Sequence, residues 1–229
     1  MKCSIRVPAG VALLILLAFC AVPALAQDPV RVAPGMYKVR LDNARVRVLE
    51  VTGKPGQKSP LHVHPDYVVY DLSDGKVRFT DAKGTASDAD MKAGDVMWRG
   101  AETHASEAVT DIHALLFELK GPKGATAARP AGGADPVTAD PAHFKVLLDN
   151  DRVRVLEFRA RPGEKVVMHS HPDYITYDLG GGKTKFSYPK GDPVERVSKA
   201  GDVTWHKAET HASAVTGDTE VHVLLVELK

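Results

Sequence analysis

Apolar and polar positions along this chain alternate in short bursts. Residues 45–51 read Arg-Val-Arg-Val-Leu-Glu-Val, and 67–72 read Tyr-Val-Val-Tyr-Asp-Leu. Stretches 76–80, 95–98 and 112–119 are of the same kind, rich in β-branched and aromatic residues. Successive strand side chains point to opposite faces, so runs of four to eight such residues predict half-buried strands. Turn formers punctuate them at Pro55-Gly56, Ser73-Asp74-Gly75 and Ala93-Gly94-Asp95. No 3.6-residue period is sustained outside the edges of segment 121–140. The pattern predicts an all-β sandwich or barrel.

The bursts occur twice. Residues 41–50 return as 148–157, Tyr70-Asp71-Leu72 as Tyr177-Asp178-Leu179, and Ala93-Gly94-Asp95-Val96 as Ala200-Gly201-Asp202-Val203. Trp98 returns as Trp205, and Glu102-Thr103-His104 as Glu209-Thr210-His211, all 107 positions on. A two-residue insertion then pairs His113 with His222 and Glu118 with Glu227. A repeat of this length with no shorter period means two copies of one domain, not a solenoid. Segment 121–140, rich in Gly, Ala and Pro, reads as a flexible linker between them. The expected division is 1–26, a mature N-terminal segment 27–34, domain one at 35–120, the linker, and domain two at 141–229. Each domain is small, and two such barrels packed on each other bury more surface than either alone.

One repeated phrase carries chemistry. His62-Val63-His64-Pro65-Asp66 recurs as His169-Ser170-His171-Pro172-Asp173. Histidines at i and i+2 on a strand face the same way. With His104 and His211 added, each copy offers three imidazoles, a set that holds one divalent metal and leaves coordination positions open. The bland alternative is a hydrogen-bonded His and Tyr cluster with no metal. His113 and His222 open the last apolar strand and read as structural; His143 and His206 have no counterpart histidine and read as surface or local residues.

Composition narrows the partners. The 229 residues hold 30 basic and 29 acidic side chains, so nothing points to nucleic acid or an anionic membrane. Lys2 and Arg6, an uncharged run at 11–22 and Ala24-Leu25-Ala26 form the pattern of a Sec signal cleaved after Ala26, with export to the periplasm. The run is too short to span the hydrocarbon core, so no stable anchor is expected after cleavage. Both cysteines, Cys3 and Cys20, fall in that segment. The remainder then lacks disulfides, thiolate ligands and a cysteine nucleophile. Nucleophile-elbow, Walker and dinucleotide-binding signatures are absent from the sequence.

Taken together, Gly56, His62, His64 and Gly75, with Gly94 and His104 following, resemble the two motifs of a cupin domain, as do Gly163, His169, His171, Gly182, Gly201 and His211. The resemblance covers about residues 35–120 and 142–229, so the chain resembles a bicupin. It implies two tandem jelly-roll β-barrels, each with one divalent metal (Zn, Cu, Mn, Fe or Ni) on its three histidines. Two departures stand out. The motif glutamate falls on Val68 and Ile175, or on Val69 and Thr176 with the longer spacing, giving a glutamate-less site suited to a small, anionic ligand. The second motif also lacks its proline before His104 and His211.

Strand parity from Val68 and Ile175 then places Tyr70 and Tyr177 in the pocket. Trp98 and Trp205 are further pocket candidates, with core or interdomain packing as the alternative. Glu102 and Glu209 could supply a carboxylate if their segment is extended; a turn there would aim them at solvent, the expected outcome. The resemblance implies dioxygenase-like chemistry on a small molecule. With no obvious general base, the alternative class is a non-catalytic periplasmic module binding a small ligand or protein partner.

Overall fold

The structure, a computed structural model, describes residues 27–122, 129–130 and 133–229; residues 1–26, where an export signal is expected, and part of the linker lie outside the described residues. The first copy comprises α1 (Pro29–Val32), β1 (Tyr37–Asp42), β2 (Val46–Gly53), β3 (Lys58–His64), β4 (Tyr67–Asp71), β5 (Gly75–Asp81), β6 (Ala86–Met91), β7 (Val96–Arg99), β8 (Glu102–Ala108) and β9 (Ile112–Leu119). The second comprises α2 (Pro136–Ala139), β10 (Phe144–Asp149), β11 (Val153–Ala160), β12 (Lys165–His171), β13 (Tyr174–Ser187), β14 (Val194–Lys199), β15 (Val203–His206), β16 (Glu209–Val215) and β17 (Val221–Leu228).

In the first copy an antiparallel sheet β1-β2-β9-β4-β7 faces a second, β3-β8-β5-β6. Leu49, Val51, Tyr67, Val77 and Leu116 fill the space between them. The second copy repeats the arrangement with one continuous sheet, because β13 runs unbroken through the place where β4 ends and β5 begins. The sequence explains the difference. Gly180-Gly181-Gly182 replaces Ser73-Asp74-Gly75, and Gly181 and Gly182 take φ of 73° and 144°, open to glycine at little cost. A Cβ on Gly182 would also lie 2.7 Å from the Val221 side chain.

Two readings of the sequence change. The expected flexible linker ends early: Asp135 caps α2 by accepting from the Val137 N–H at 2.9 Å, and Ser170 N–H donates to the Ala134 carbonyl. Asp28 caps α1 in the same way at 2.9 Å, 107 positions earlier. The repeat therefore begins at this Asp-Pro-Val cap, ahead of the first strand. Four-residue helices are too short to leave a period.

The second change concerns parity. Val68 and Ile175 face the other barrel, not the pocket, and both are fully buried. They join Val46, Val48, Leu115 and Phe117 of the first copy and Val153, Leu224 and Val226 of the second in one shared core. Tyr70 and Tyr177 pack there too, against the expectation that they line the pockets, and so do Trp98 and Trp205, in the core or interdomain role weighed for them. A sheet sandwiched between its own barrel and its neighbour is apolar on both faces, so alternation on β4 does not say which face is which. The contact is two-fold in character: Arg152 bonds Asp66 at 2.6 Å and Arg45 reaches Asp173 at 3.4 Å, the same pair exchanged between copies.

Truncation at this shared core should weaken the fold and spare the pockets. Ile175→Ala is expected to cost about 2–5 kcal/mol, read as a fall in the urea midpoint. Zinc affinity of the folded protein should stay unchanged.

Candidate metal centres

Strand register builds each cluster. β3 pairs with β8 so that His62 lies opposite His104, and β12 pairs with β16 so that His169 lies opposite His211. His64 and His171 sit two residues on, on the same face. In the first copy the ring centroids are 4.8, 4.6 and 5.3 Å apart; in the second they are 4.8, 4.7 and 5.4 Å. One nitrogen from each ring lies within 4.8 Å of the others in both clusters. An ion bonded at about 2.1 Å needs its ligand atoms within about 4.2 Å of one another, a small contraction at most.

The proton positions follow from the partners. His62 Nδ1 is 2.7 Å from the Pro60 carbonyl and His169 Nδ1 is 2.7 Å from the Val167 carbonyl. A carbonyl only accepts, so both protons sit on Nδ1 and both Nε2 lone pairs turn to the cluster. His64 Nδ1 donates to Glu118 Oε1 at 2.7 Å, and His171 Nδ1 to Glu227 Oε1 at 2.7 Å. Each of these glutamates is also ion-paired to an arginine, Arg47 or Arg154, which in turn grips the helix cap Asp28 or Asp135. The chain Asp–Arg–Glu–His thus runs from the start of each repeat to a cluster histidine. It is the carboxylate–histidine arrangement that orients metal ligands.

Glu118 and Glu227 were not singled out in the sequence, although each is the lone acid in an apolar strand, Leu115-Leu116-Phe117-Glu118-Leu119 and Leu224-Leu225-Val226-Glu227-Leu228. A charge in such a run needs a buried partner.

The donor set fits a metal. His64 Nε2 and His169 Nε2 are buried with no hydrogen-bond partner among the described residues, whereas Nδ1 of His104 and of His211 faces a carboxylate. Unpaired buried nitrogens are costly, and a divalent ion would satisfy them. Burial pushes His62 and His169 down to about 4, so both are neutral, as ligands must be.

Glu102 and Glu209 begin strands, so each shares a face with the following histidine; the expected exposure to solvent is not found. Glu102 accepts from Tyr67 Oη at 2.5 Å and from Arg99 at 2.7 and 2.8 Å, and lies 3.4 Å from His104 Nδ1. Glu209 accepts from Tyr174 Oη at 2.7 Å and lies 3.2 Å from His211 Nδ1. Burial opposes its charge, but His211 and Tyr174 outweigh that and hold the carboxyl down at about 2. Tyr67 and Tyr174, not Tyr70 and Tyr177, are the pocket phenols. The longer motif spacing is the correct one, because Val69 and Thr176 line the cavities. His113 and His222 lie apart, paired with Glu50 and Glu157. His143 is bonded to Asp140, whereas His206 stacks on Tyr174 at 4.5 Å in the second cavity wall.

The two centres differ around identical triads. Tyr37 Oη lies 3.2 Å from His62 Nε2, where the second copy has Phe144. Arg99, which clamps Glu102, is replaced by His206, leaving Glu209 without an arginine. The cavity is about 100 Å³ in the first barrel and about 200 Å³ in the second.

No protein-family model matches the sequence, and no curated protein matches it either. Solved structures do. AerE from Microcystis aeruginosa is 12% identical, with a TM-score of 0.56 over 85% of this chain and 97% of that one. The formate complex of oxalate decarboxylase from Lactobacillus farciminis is 17% identical, with a TM-score of 0.54 over 81% of this chain and 77% of its own. The second match spans most of this chain, and so both of its barrels. The chain has the bicupin fold. At these identities the likeness extends to the fold and no further. A cupin 2 conserved barrel domain protein from Leptotrichia buccalis is also similar, 14% identical with a TM-score of 0.49 over 84% of this chain and 88% of that one.

The first barrel also buries an acid in its cavity wall. Asp71 is 1% exposed, and neither carboxylate oxygen has a hydrogen-bond partner. Burial, reinforced by Asp95, pushes its carboxyl up from 3.8 to about 6. The native state therefore keeps a proton that the unfolded chain has lost, and stability falls as pH rises from about 4 through about 6.

Asp71→Asn removes that penalty. Its melting temperature should exceed the wild type's at about pH 7.5, and the gap should close as the pH falls toward about 3, where both states are protonated. For the metal centres, Glu227→Gln should weaken zinc binding in the second barrel about 10–100-fold, measured by competition with a chelator, with the first barrel unchanged.

Proposed function

We propose that the protein is an exported metal-binding bicupin that binds and transforms a small molecule in its second barrel. The observation that carries this reading is the convergence of three buried histidines in each copy, one nitrogen of each within 4.8 Å of the others. His62, His64 and His104 would hold one ion, and His169, His171 and His211 the other. A bound divalent ion supplies Lewis-acid polarisation of a coordinated oxygen, and a redox-active one adds electron transfer. Three neutral imidazoles with no carboxylate leave the ion its full charge, which favours an anionic ligand.

The residues of the second barrel support chemistry there. Glu209, ionised in a half-buried wall, can accept a hydrogen bond from a ligand beside His211, and the Tyr174 hydroxyl orients it. In the first barrel the Arg99 clamp on Glu102 and the smaller cavity oppose that role. There a binding or structural centre is the better reading. Oxalate decarboxylase, a similar fold, acts on a small dicarboxylate, and a small carboxylate suits this centre on chemical grounds as well. Sec export of the chain places metal loading outside the cytoplasm, where zinc or copper is favoured.

Elemental analysis of the full chain purified from its own compartment tests the reading. Two ions per chain are expected, falling to one in His169→Ala/His171→Ala. Protein free of metal, and unable to take up zinc, copper or manganese on dialysis, would contradict it.

A further inference from the structure

The duplication provides an internal comparison of the two cavity walls. On the side formed by β4 to β7, the first cavity is lined by Val69, Val77, Met91 and Met97. The positions 107 residues on are Thr176, Thr184, Ser198 and Thr204, which line the second cavity. Four apolar side chains in one barrel are thus four hydroxyls in the other, two of them by the near-isosteric exchange of Val for Thr. The change is not uniform, since Asp90 on the same wall becomes Val197, but a hydroxyl as buried as that of Thr184 costs free energy unless it is bonded.

The hydroxyl wall has further polar members. Ser198 Oγ donates to Asp178 Oδ1 at 2.6 Å, and Thr176 Oγ1 lies 3.1 Å from His206 Nε2. Thr184 is buried deep in the cavity and Thr204 is exposed at its mouth, so the hydroxyls run from solvent inward. Arg196, which stands over the Phe186 ring at 5.1 Å, adds a cation. Across from them the cavity is apolar and aromatic, with Phe144, Phe158 and Val223. In the first barrel Tyr37 and Val51 take the places of the two phenylalanines, and Ala89 that of Arg196.

We infer that the second barrel binds a small polyhydroxylated carboxylate, a sugar acid or similar hydroxy acid, and that the first barrel does not. Its hydroxyls exchange hydrogen bonds with Thr176, Thr184, Ser198 and Asp178, while its C–H faces pack on Phe144 and Phe158. Its carboxylate lies toward the histidine cluster. This last placement rests on the proposed metal centre; the selection for hydroxyls does not. A site built to bond hydroxyls rejects the analogue lacking them, because its own polar groups are then left unpaired.

Isothermal titration of the full chain with D-gluconate, and with hexanoate as the carboxylate of equal chain length without hydroxyls, tests the inference. Both ligands are run on metal-stripped and on zinc-loaded protein. Gluconate should bind more tightly than hexanoate in the stripped protein, and more tightly still with zinc. Thr176→Val/Thr184→Val rebuilds the wall of the first barrel and should weaken gluconate about tenfold or more without weakening hexanoate. Thr184→Val alone, which leaves His206 its partner, should show a smaller loss in the same direction. Zinc titration of both variants checks that the barrel stays folded. Equal affinity for the two ligands, no gluconate binding in either form, or unchanged gluconate affinity in the double variant would overturn the inference. A gluconate preference that persists in protein unable to bind zinc supports it and sinks the metal reading alone.

Discussion

A carboxylate sealed from solvent holds each centre in order. Glu118 and Glu227 are each 1% exposed, and each lies between an arginine and a histidine. Removing an ion from water is expensive unless a counter-charge and hydrogen bonds replace the lost hydration. Arg47 and Arg154 supply the counter-charge; His64 and His171 supply the N–H. The carboxylate in turn keeps the imidazole proton on Nδ1 and leaves Nε2 bare. Even the short helix at the head of each repeat belongs to this chain, because its capping aspartate grips the same arginine. Loss of either glutamate would leave its arginine with the capping aspartate alone as well as loosen a ligand.

The fold ties these centres to the contact between barrels. Asp66 and Asp173 stand two residues after the paired histidines, and each accepts a backbone N–H from the turn that leads into the third histidine's strand. The same aspartates receive Arg152 and Arg45 from the opposite barrel. One turn therefore positions two elements of its own cluster and docks the neighbouring copy. Around that shared frame the cavities have diverged. Tyr37 and Arg99 close in on the first, while Phe144, His206 and a row of hydroxyls open the second.

Much of this was legible in the sequence. The paired His62 and His64, the distant His104 and the exact offset of their copies identify the clusters, because strand parity and spacing leave little freedom. The domain class was legible from the turns at Gly56 and Gly94. What misled was β4, where Tyr67, Val68, Val69 and Tyr70 are all apolar or aromatic and both faces of the strand are covered. Parity gives the alternation but not its phase, so Tyr70 was placed in the pocket and Tyr67 was passed over. Glu118 was hidden by its setting: an acid near the end of an apolar strand reads as an exposed terminus until its partner Arg47, on a different strand, is seen beside it. Glu102 was misjudged because the motif calls for a turn where the chain is already extended.

The account stands on three lone pairs converging in each barrel. Anomalous diffraction from zinc-loaded crystals tests this most directly. It should place one zinc among His62, His64 and His104 and a second among His169, His171 and His211, with Glu118 and Glu227 still bonded to Nδ1 of His64 and His171. Zinc bound elsewhere, or triads that remain empty at saturating zinc, would contradict the account.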